Sequence, residues 1–332
     1  MRLPVMILVA AIGLTSAACS NPAEPSDSLI VYSGRSEEYN GDLVERFEQA
    51  SGIDVEMRYG TTPELAAQLL EEGDNSPAHV FWAQDAGALQ VIADEGRATE
   101  LPTEILDKVP ADYRSAEGHW VATSGRARVM VYNTDAVAAQ ALPDSVLELT
   151  EPQWRGRVAI APSNGSFQSF VTAMRASEGE SATREWLTAL AANDPVEFES
   201  NTEIVEAVDA GEVDLGLVNN YYWYNKAAEV GAEAMNSANA TFTDGDLGNL
   251  VNIAGVAALS IDPRAHQFIE FMLGELAQEH FAEVVAEYPM IDSVQPKQGL
   301  TPLLEIDGPD VGLDELRDLR GTQAALMETG LL

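Results

Sequence analysis

From residue 29 onward, short β-rich runs alternate with helical segments, and this order leaves few architectures open to the chain. Leu29 to Tyr32 reads as a strand, Ser33 to Ser36 as a turn, and Glu38 to Ala50 as a helix through Leu43, Val44 and Phe47, stopped by Ser51-Gly52. Ile53 to Arg58 is a second strand. A Thr61 cap with Pro63 in the first turn opens the next helix, His79 to Trp82 forms a third strand, and Asp85-Ala86-Gly87 leads a helix to about Glu95. This β-α-β-α-β order implies a mostly parallel sheet covered on both faces.

In such sheets ligands bind beyond the carboxyl ends of the strands. That rule selects Ser33 to Glu38, Ala83 to Asp85, and Ser163 to Phe167 after a strand at Arg157 to Ala161. A second alternating block spans Val129 to about Leu250, with helices near Gln168 to Glu178 and Ala182 to Ala192 and a strand at Asp214 to Val218. The expected fold class is therefore α/β, with mixed sheets, helices on both faces, two lobes and a cleft between them. Val251 to Ile261 is apolar but too short to span a bilayer, and reads as a buried strand and its turn.

The N-terminus points to export. Arg2, the apolar stretch Pro4 to Leu14 and Ser16-Ala17-Ala18-Cys19 have the charged, apolar and small-residue order of a secretory signal. Cys19 is the only cysteine, so no internal disulfide forms, and its position after small residues matches a bacterial lipoprotein cleavage box. Residues 1–18 are expected to be the signal peptide, and 19–28 a tether acylated at Cys19. Ser16 stands where such boxes more often carry Leu, so secretion without a lipid is the alternative.

Charge and motifs narrow the function. Acids outnumber bases 54 to 18, giving a net charge of −36, which strongly disfavours any nucleic-acid role. The acids are scattered along segments such as Glu64 to Asp74 and Asp310 to Asp318, as on a solvated acidic surface. No metalloprotease, nucleophile-elbow or phosphate-loop motif occurs. His79, His119, His266 and His280 lie in a strand, a loop and two helices with no shared spacing, and the one cysteine is in the export box. The chain reads as a binder, not an enzyme.

The most specific chemistry is in Asn219-Asn220-Tyr221-Tyr222-Trp223. A phenol with a pKa of about 10 becomes an anionic oxygen ligand at neutral pH only when a strong Lewis acid displaces its proton, as ferric iron does. Aromatic runs also build cores and pocket walls, and the pair alone does not separate these readings. Side chains at i and i+1 reach one ion only from a turn or a helix's first turn, and Asn219-Asn220 suits that place.

Several markers recur in order: Val31-Tyr32-Ser33-Gly34, Ser76 to Phe81, Ser124-Gly125-Arg126-Ala127-Arg128-Val129, Val131 to Thr134, Asn219 to Trp223, Gly248 to Gly255 and Ala286-Glu287-Tyr288-Pro289. On these the chain resembles the bacterial periplasmic ferric-binding proteins, receptors of ABC-type iron importers, over nearly its whole mature length. The resemblance implies a type II periplasmic-binding-protein fold. Lobe 1 would comprise 29–128 plus about 252–302, and lobe 2 129–251 plus about 303–332, with crossings near Arg128 and Val251.

It also implies Tyr221 and Tyr222 as phenolate ligands of Fe3+, with a synergistic carbonate or phosphate. Asn164, Gly165, Ser166, Asn201 and Asn219 map onto the anion contacts, and Arg126 and Arg35 are the guanidiniums expected beside it, with surface salt bridges as their alternative. Ser36 stands where some members carry a His ligand, and Gln84 where some carry Glu. Ser36, Gln84 and Asp85 are therefore further first-lobe contacts to test, with Glu37 and Glu38 nearby. The implied partner is an ABC permease in the cytoplasmic membrane, the implied location the periplasm or the outer face of that membrane, and the implied state a monomer. A receptor of the same fold for a ferric chelate or another small anion is the alternative.

Overall fold

The computed structural model describes residues 28–332. The signal segment 1–18, Cys19 and the tether as far as Asp27 lie outside the described residues. The first block forms β1 (Leu29–Ser33), α1 (Glu37–Ser51), β2 (Val55–Tyr59), α2 (Thr62–Glu72), β3 (Val80–Ala83) and α3 (Ala86–Asp94). Local chemistry sets its boundaries: Gly52 ends α1 in the left-handed region at φ 71°. Thr61 and Glu64 cap α2 reciprocally, and the Asp85 carboxylate accepts the Ala88 N–H to start α3. β1 lies between β2 and β3, parallel to both, as the alternation predicts.

A short α4 (Thr103–Leu106) precedes β4 (Val121–Asn133), a strand of 13 residues. Then come β5 (Val158–Ile160), α5 (Gly165–Glu178), α6 (Glu180–Ala192), β6 (Val196–Glu197), α7 (Asn201–Asp209), β7 (Leu215–Asn219), α8 (Asn220–Val230) and β8 (Ser237–Ala240). The chain closes with β9 (Val251–Ala258), α9 (Pro263–Met272), α10 (Glu275–His280), β10 (Tyr288–Pro289) and α11 (Leu319–Thr329). α5 starts three residues before the predicted Gln168, because the Asn164 side chain accepts the Ser166 N–H and turns the predicted loop into the helix's first turn.

The strands run in the order β2-β1-β3-β9-β4-β7-β5-β6, with β10 and β8 also on β4. β4 holds the two halves together. Its residues Val121 to Ala127 pair with β9, and Arg128 to Tyr132 pair with β7. At the handover the Arg128 N–H donates to the Leu250 carbonyl at 2.8 Å, where the chain enters β9.

Each half has its own aromatic packing. Phe47, Phe268, Trp82 and Phe281 meet edge to face behind β3 and β9, while Phe167, Phe170 and Trp186 pack beneath α5 and α6. Each fully buried side chain of this kind contributes about 1.5–3 kcal/mol.

The C-terminal segment touches both halves. A Cβ at Gly87, in the first turn of α3, would lie 2.5 Å from the Leu316 carbonyl, so only glycine lets that segment approach. Beyond it, Arg175 of α5 donates to the Asp318 carboxylate at 2.7 Å and to the Thr322 hydroxyl at 3.0 Å, and Thr172 meets Thr322 at 2.7 Å. These bonds dock α11 on α5.

Asp318 is held below the ordinary carboxylate range, first by the Arg175 hydrogen bond and then by the Gly321 N–H. A depressed carboxylate stabilises the fold above its unfolded pKa of about 3.9, and that contribution is lost as pH falls through the folded value. Arg175→Ala is expected to melt at a lower temperature than the parent near neutral pH. The difference should shrink on acidification below the carboxylate range, followed by circular dichroism; a gap independent of pH would exclude this linkage.

Candidate functional site

The three loops selected by the sheet rule meet at one cleft of about 540 Å³. Gly34 to Glu37, Gln84 and Asp85 line it from the first half, and Asn164 to Ser166, Tyr221 and Tyr222 from the second. Arg126 lies between them on β4. No histidine lines the cleft. Among the described residues no group of three or more His, Cys, Asp or Glu is placed to hold a metal, and two adjacent phenols line this cleft. A larger depression of about 780 Å³ beside α7 is lined by Glu197, Glu199, Glu203, Glu206 and Glu212, a solvated acidic face without converging donors.

Tyr221 and Tyr222 are the second and third residues of α8, in its first turn. Their rings stack with centroids 4.3 Å apart and planes at 28°. Tyr221 is 8% exposed, and Tyr222 is half-buried. Burial pushes the Tyr221 phenol well above its ordinary pKa, helped by Tyr222 and Glu287 and opposed by Arg126. It is therefore a neutral phenol at physiological pH.

The two asparagines before the pair do different work. Asn219 sits at the N-cap, yet its amide donates to the Ser166 hydroxyl at 3.2 Å instead of capping. Asn220 accepts the Ala127 N–H at 2.9 Å and donates to the Ala286 carbonyl at 3.3 Å, binding the tyrosine helix to the point where β4 changes halves.

The start of α5 is a preformed polar cradle. The Asn164 side-chain oxygen accepts from the Ser166 N–H at 3.0 Å, the Ser166 hydroxyl at 2.7 Å and the Asn201 amide at 3.1 Å. Asn201 and Asn219 thus stand behind the cleft wall, orienting Asn164 and Ser166. A side chain at Gly165 would meet nothing within 4 Å, so the backbone there faces open space. A helix start of this kind suits negative charge.

Two arginines on β4 are more buried than the sequence suggested. Arg126 is 3% exposed, and its Nη1 has no hydrogen-bond partner. It is thus a buried cation facing the cleft, where a surface salt bridge was the alternative. Asp85, whose carboxyl burial pushes up while Ala88 and Arg126 pull it down, is committed to capping α3. Arg128, two residues on, is 2% exposed and was not selected from the sequence as a site residue. The available signal was the Arg-x-Arg spacing, which puts both guanidiniums on one face of a strand.

The first-half wall differs from the expectation at Arg35. Its guanidinium makes a two-pronged pair with Glu287 at 2.7 and 3.0 Å and donates to the Gln84 side-chain oxygen at 2.7 Å. The Ser124 hydroxyl adds a bond to Glu287 at 2.6 Å. Arg35 and Gln84 therefore hold each other and Glu287. Ser36 is exposed at the start of α1 and makes no capping bond. Glu287 was read only as part of a motif, and no local pattern pairs it with a residue 252 positions away.

Residues 74–310 match the family described as bacterial extracellular solute-binding protein. The chain is 31% identical over 333 residues to the Fe(3+)-binding periplasmic protein of Serratia marcescens, covering 99% of this chain and 97% of that protein. Among solved structures, iron-bound HitA from Pseudomonas aeruginosa is 33% identical with a TM-score of 0.86, over 92% of this chain and 99% of that one. Trichodesmium IdiA (FutA), solved with iron and citrate ligands, is 27% identical with a TM-score of 0.79, over 92% of this chain and all 100% of that one. The fold is that of the two-lobed periplasmic ferric-binding proteins.

Both partners of the Arg35–Glu287 pair are almost fully buried, at 2% and 1% side-chain exposure. Removing one partner of such a pair costs about 3–5 kcal/mol, because the other is left charged and dry, whereas apolar replacement of both is often near neutral. Glu287→Ala is expected to lose stability on that scale in urea melts, and Arg35→Met with Glu287→Leu to recover most of it. A double variant as unstable as the single one would show that the pair itself holds this wall.

Proposed function

The chain belongs to the bacterial extracellular solute-binding protein family, and from that premise we propose that it captures ferric iron with a synergistic anion and delivers it to a membrane permease. The observation that carries this reading is the stacked Tyr221–Tyr222 pair in the first turn of α8, facing a cleft that also holds the unpaired Arg126 guanidinium. Hard phenolate oxygens suit a trivalent cation. The Asn164–Gly165–Ser166 cradle and Arg126 suit the anion, carbonate or phosphate, which fills positions the protein leaves open. The protein donors are then mainly Tyr221 and Tyr222, with Ser36, Gln84 and Asp85 as further first-lobe groups lining the same cleft. The names of the relatives from Serratia and Pseudomonas support iron as cargo.

Capture works by closure. Lobe 1, 29–128 plus about 252–302, moves against lobe 2, 129–251 plus about 303–332, about the crossings at Ala127/Arg128 and Leu250/Val251. The change of strand partners within β4 and the docking of α11 on α5 support this division. Iron and anion reach both walls only when the cleft is closed, so their binding drives closure. An ABC permease in the cytoplasmic membrane reads the closed form, and acylation at Cys19 keeps the monomer beside it, on the outer face of that membrane.

A second reading is a receptor for a ferric chelate. It is favoured by the cleft volume of about 540 Å³, far larger than a bare ion needs, and by the citrate in the Trichodesmium structure. Titrating the chain with ferric salt and carbonate, and separately with ferric citrate, while recording the visible spectrum separates the two. Phenolate-to-iron charge transfer is expected to colour the loaded protein. Tyr221→Phe with Tyr222→Phe should abolish the colour and the tight binding; retention of both would reject the site.

Iron must displace the phenol protons, so acid releases it. The apparent ferric affinity is expected to fall by up to about tenfold per pH unit for each phenol displaced, measured by competition with a chelator of known pH dependence. Affinity flat from neutral to mildly acidic pH would argue against phenolate ligation.

A further inference from the structure

Arg128 is a buried cation without a counter-ion. It lies on the half of β4 that pairs with β7, opposite Asn219 and therefore beneath the start of the tyrosine helix. Its Nη2 donates to the Leu217 carbonyl at 3.2 Å, while Nε and Nη1 have no partner. Its guanidinium lies over the rings of Phe167 and Phe170, 5.6 and 5.5 Å from their centroids, just past the Asn164–Ser166 cradle. No ion pair involves Arg128 or Arg126 among the described residues, although the chain carries a threefold excess of acids. Burial pulls the Arg128 pKa down to about 9, with Tyr222 opposing and Arg126 reinforcing, so it stays charged at neutral pH.

An unpaired buried charge is costly and is retained only where something compensates it. Packing on two aromatic rings and one carbonyl bond is a partial answer. The nearby carboxylates are engaged without reaching Arg128: Glu287 holds Arg35, and Asp85 caps α3 and feels the charge of Arg126 without forming an ion pair with it. A ferric ion held by two phenolates still carries positive charge, and two guanidiniums add to it, so a cation entering alone leaves the cleft strongly positive in a medium that screens poorly.

We propose that Arg128 is a specificity-determining residue that acts from behind the cleft: with Arg126 it supplies a fixed positive charge that makes iron binding depend on a multiply charged oxyanion. It touches neither iron nor anion and acts through Tyr222 and the start of α5, so it is a positioning residue. This inference rests on the ferric reading above. It goes further in naming what enforces the anion requirement.

The test uses the full chain, Fe3+ and carbonate, and reads the synergy ratio, the iron affinity with carbonate over that without. Arg128→Met keeps an unbranched apolar stem between Phe167 and Phe170 and removes the charge, whereas Arg128→Lys keeps the charge. The ratio is expected to fall about tenfold or more in Arg128→Met and to be largely restored in Arg128→Lys. The charge-transfer band of Arg128→Met should move to longer wavelength, because its phenolate donor has lost a neighbouring cation. An unchanged ratio and band in Arg128→Met overturn the proposal while wild-type iron binding stands. A wild-type chain that takes no iron rejects the functional reading itself. If Arg128→Met fails to fold, the guanidinium nitrogen resonances of the wild type decide: they shift when diamagnetic Ga3+ and carbonate are added together, and a signal indifferent to that addition overturns the role.

Discussion

The side-chain amide of Asn220 fixes the relation between the sheet and the cleft. It accepts the Ala127 N–H at the residue where β4 leaves one half for the other, and it donates to the Ala286 carbonyl, next to the acid that holds Arg35. The main-chain carbonyl of Asn220 accepts the Asn239 side-chain amide from β8 at 2.9 Å. One residue before Tyr221, a buried amide thus joins the crossover strand, both halves and the tyrosine helix. Buried amides of this kind specify geometry because every alternative leaves a polar group unpaired. The tyrosines are therefore positioned by the crossover and not by a free loop.

The same region separates charge in an acidic protein. The net charge of −36 is spread over solvated helices, while Arg126 and Arg128 stand side by side in the interior without carboxylate partners. Surface acids concentrate cations near the protein, but screening within about 10 Å limits their effect on the buried site. The cleft itself is shaped by its interior groups: the Tyr221 phenol, which burial keeps neutral, and two arginines without ion-pair partners.

Much of the fold was legible because its signals are local. The Thr61–Glu64 box, the Asp85 cap, the Gly52 stop and the period-two apolar runs each lie within a few residues of the element they set. The loops of the cleft followed from the strand order alone. The cradle was less legible: Asn164 begins the helix earlier than the apolar pattern suggests, because a side-chain bond and not periodicity sets that end. Arg35 was nominated to contact an anion, but its partner Glu287 comes from the far end of the chain, and long-range pairing leaves no trace in a single sequence. Arg128 carried a readable signal, the two-residue spacing from Arg126, whose meaning appears only once both are known to be buried.

The departures from the resemblance then take a physical form. Gln84, in place of a ligand acid, offers its oxygen to Arg35, and Ser36, in place of a ligand imidazole, faces solvent. An acid at position 84 would compete with Glu287 for the one guanidinium between them, so a neutral amide there leaves the Arg35–Glu287 pair intact. The wall from the first half is a hydrogen-bonded surface, and the wall from the second half carries the tyrosine pair. On the proposed reading, closure would depend less on first-lobe ligands than on an anion that bridges the walls, the requirement assigned above to the two unpaired arginines at the crossover.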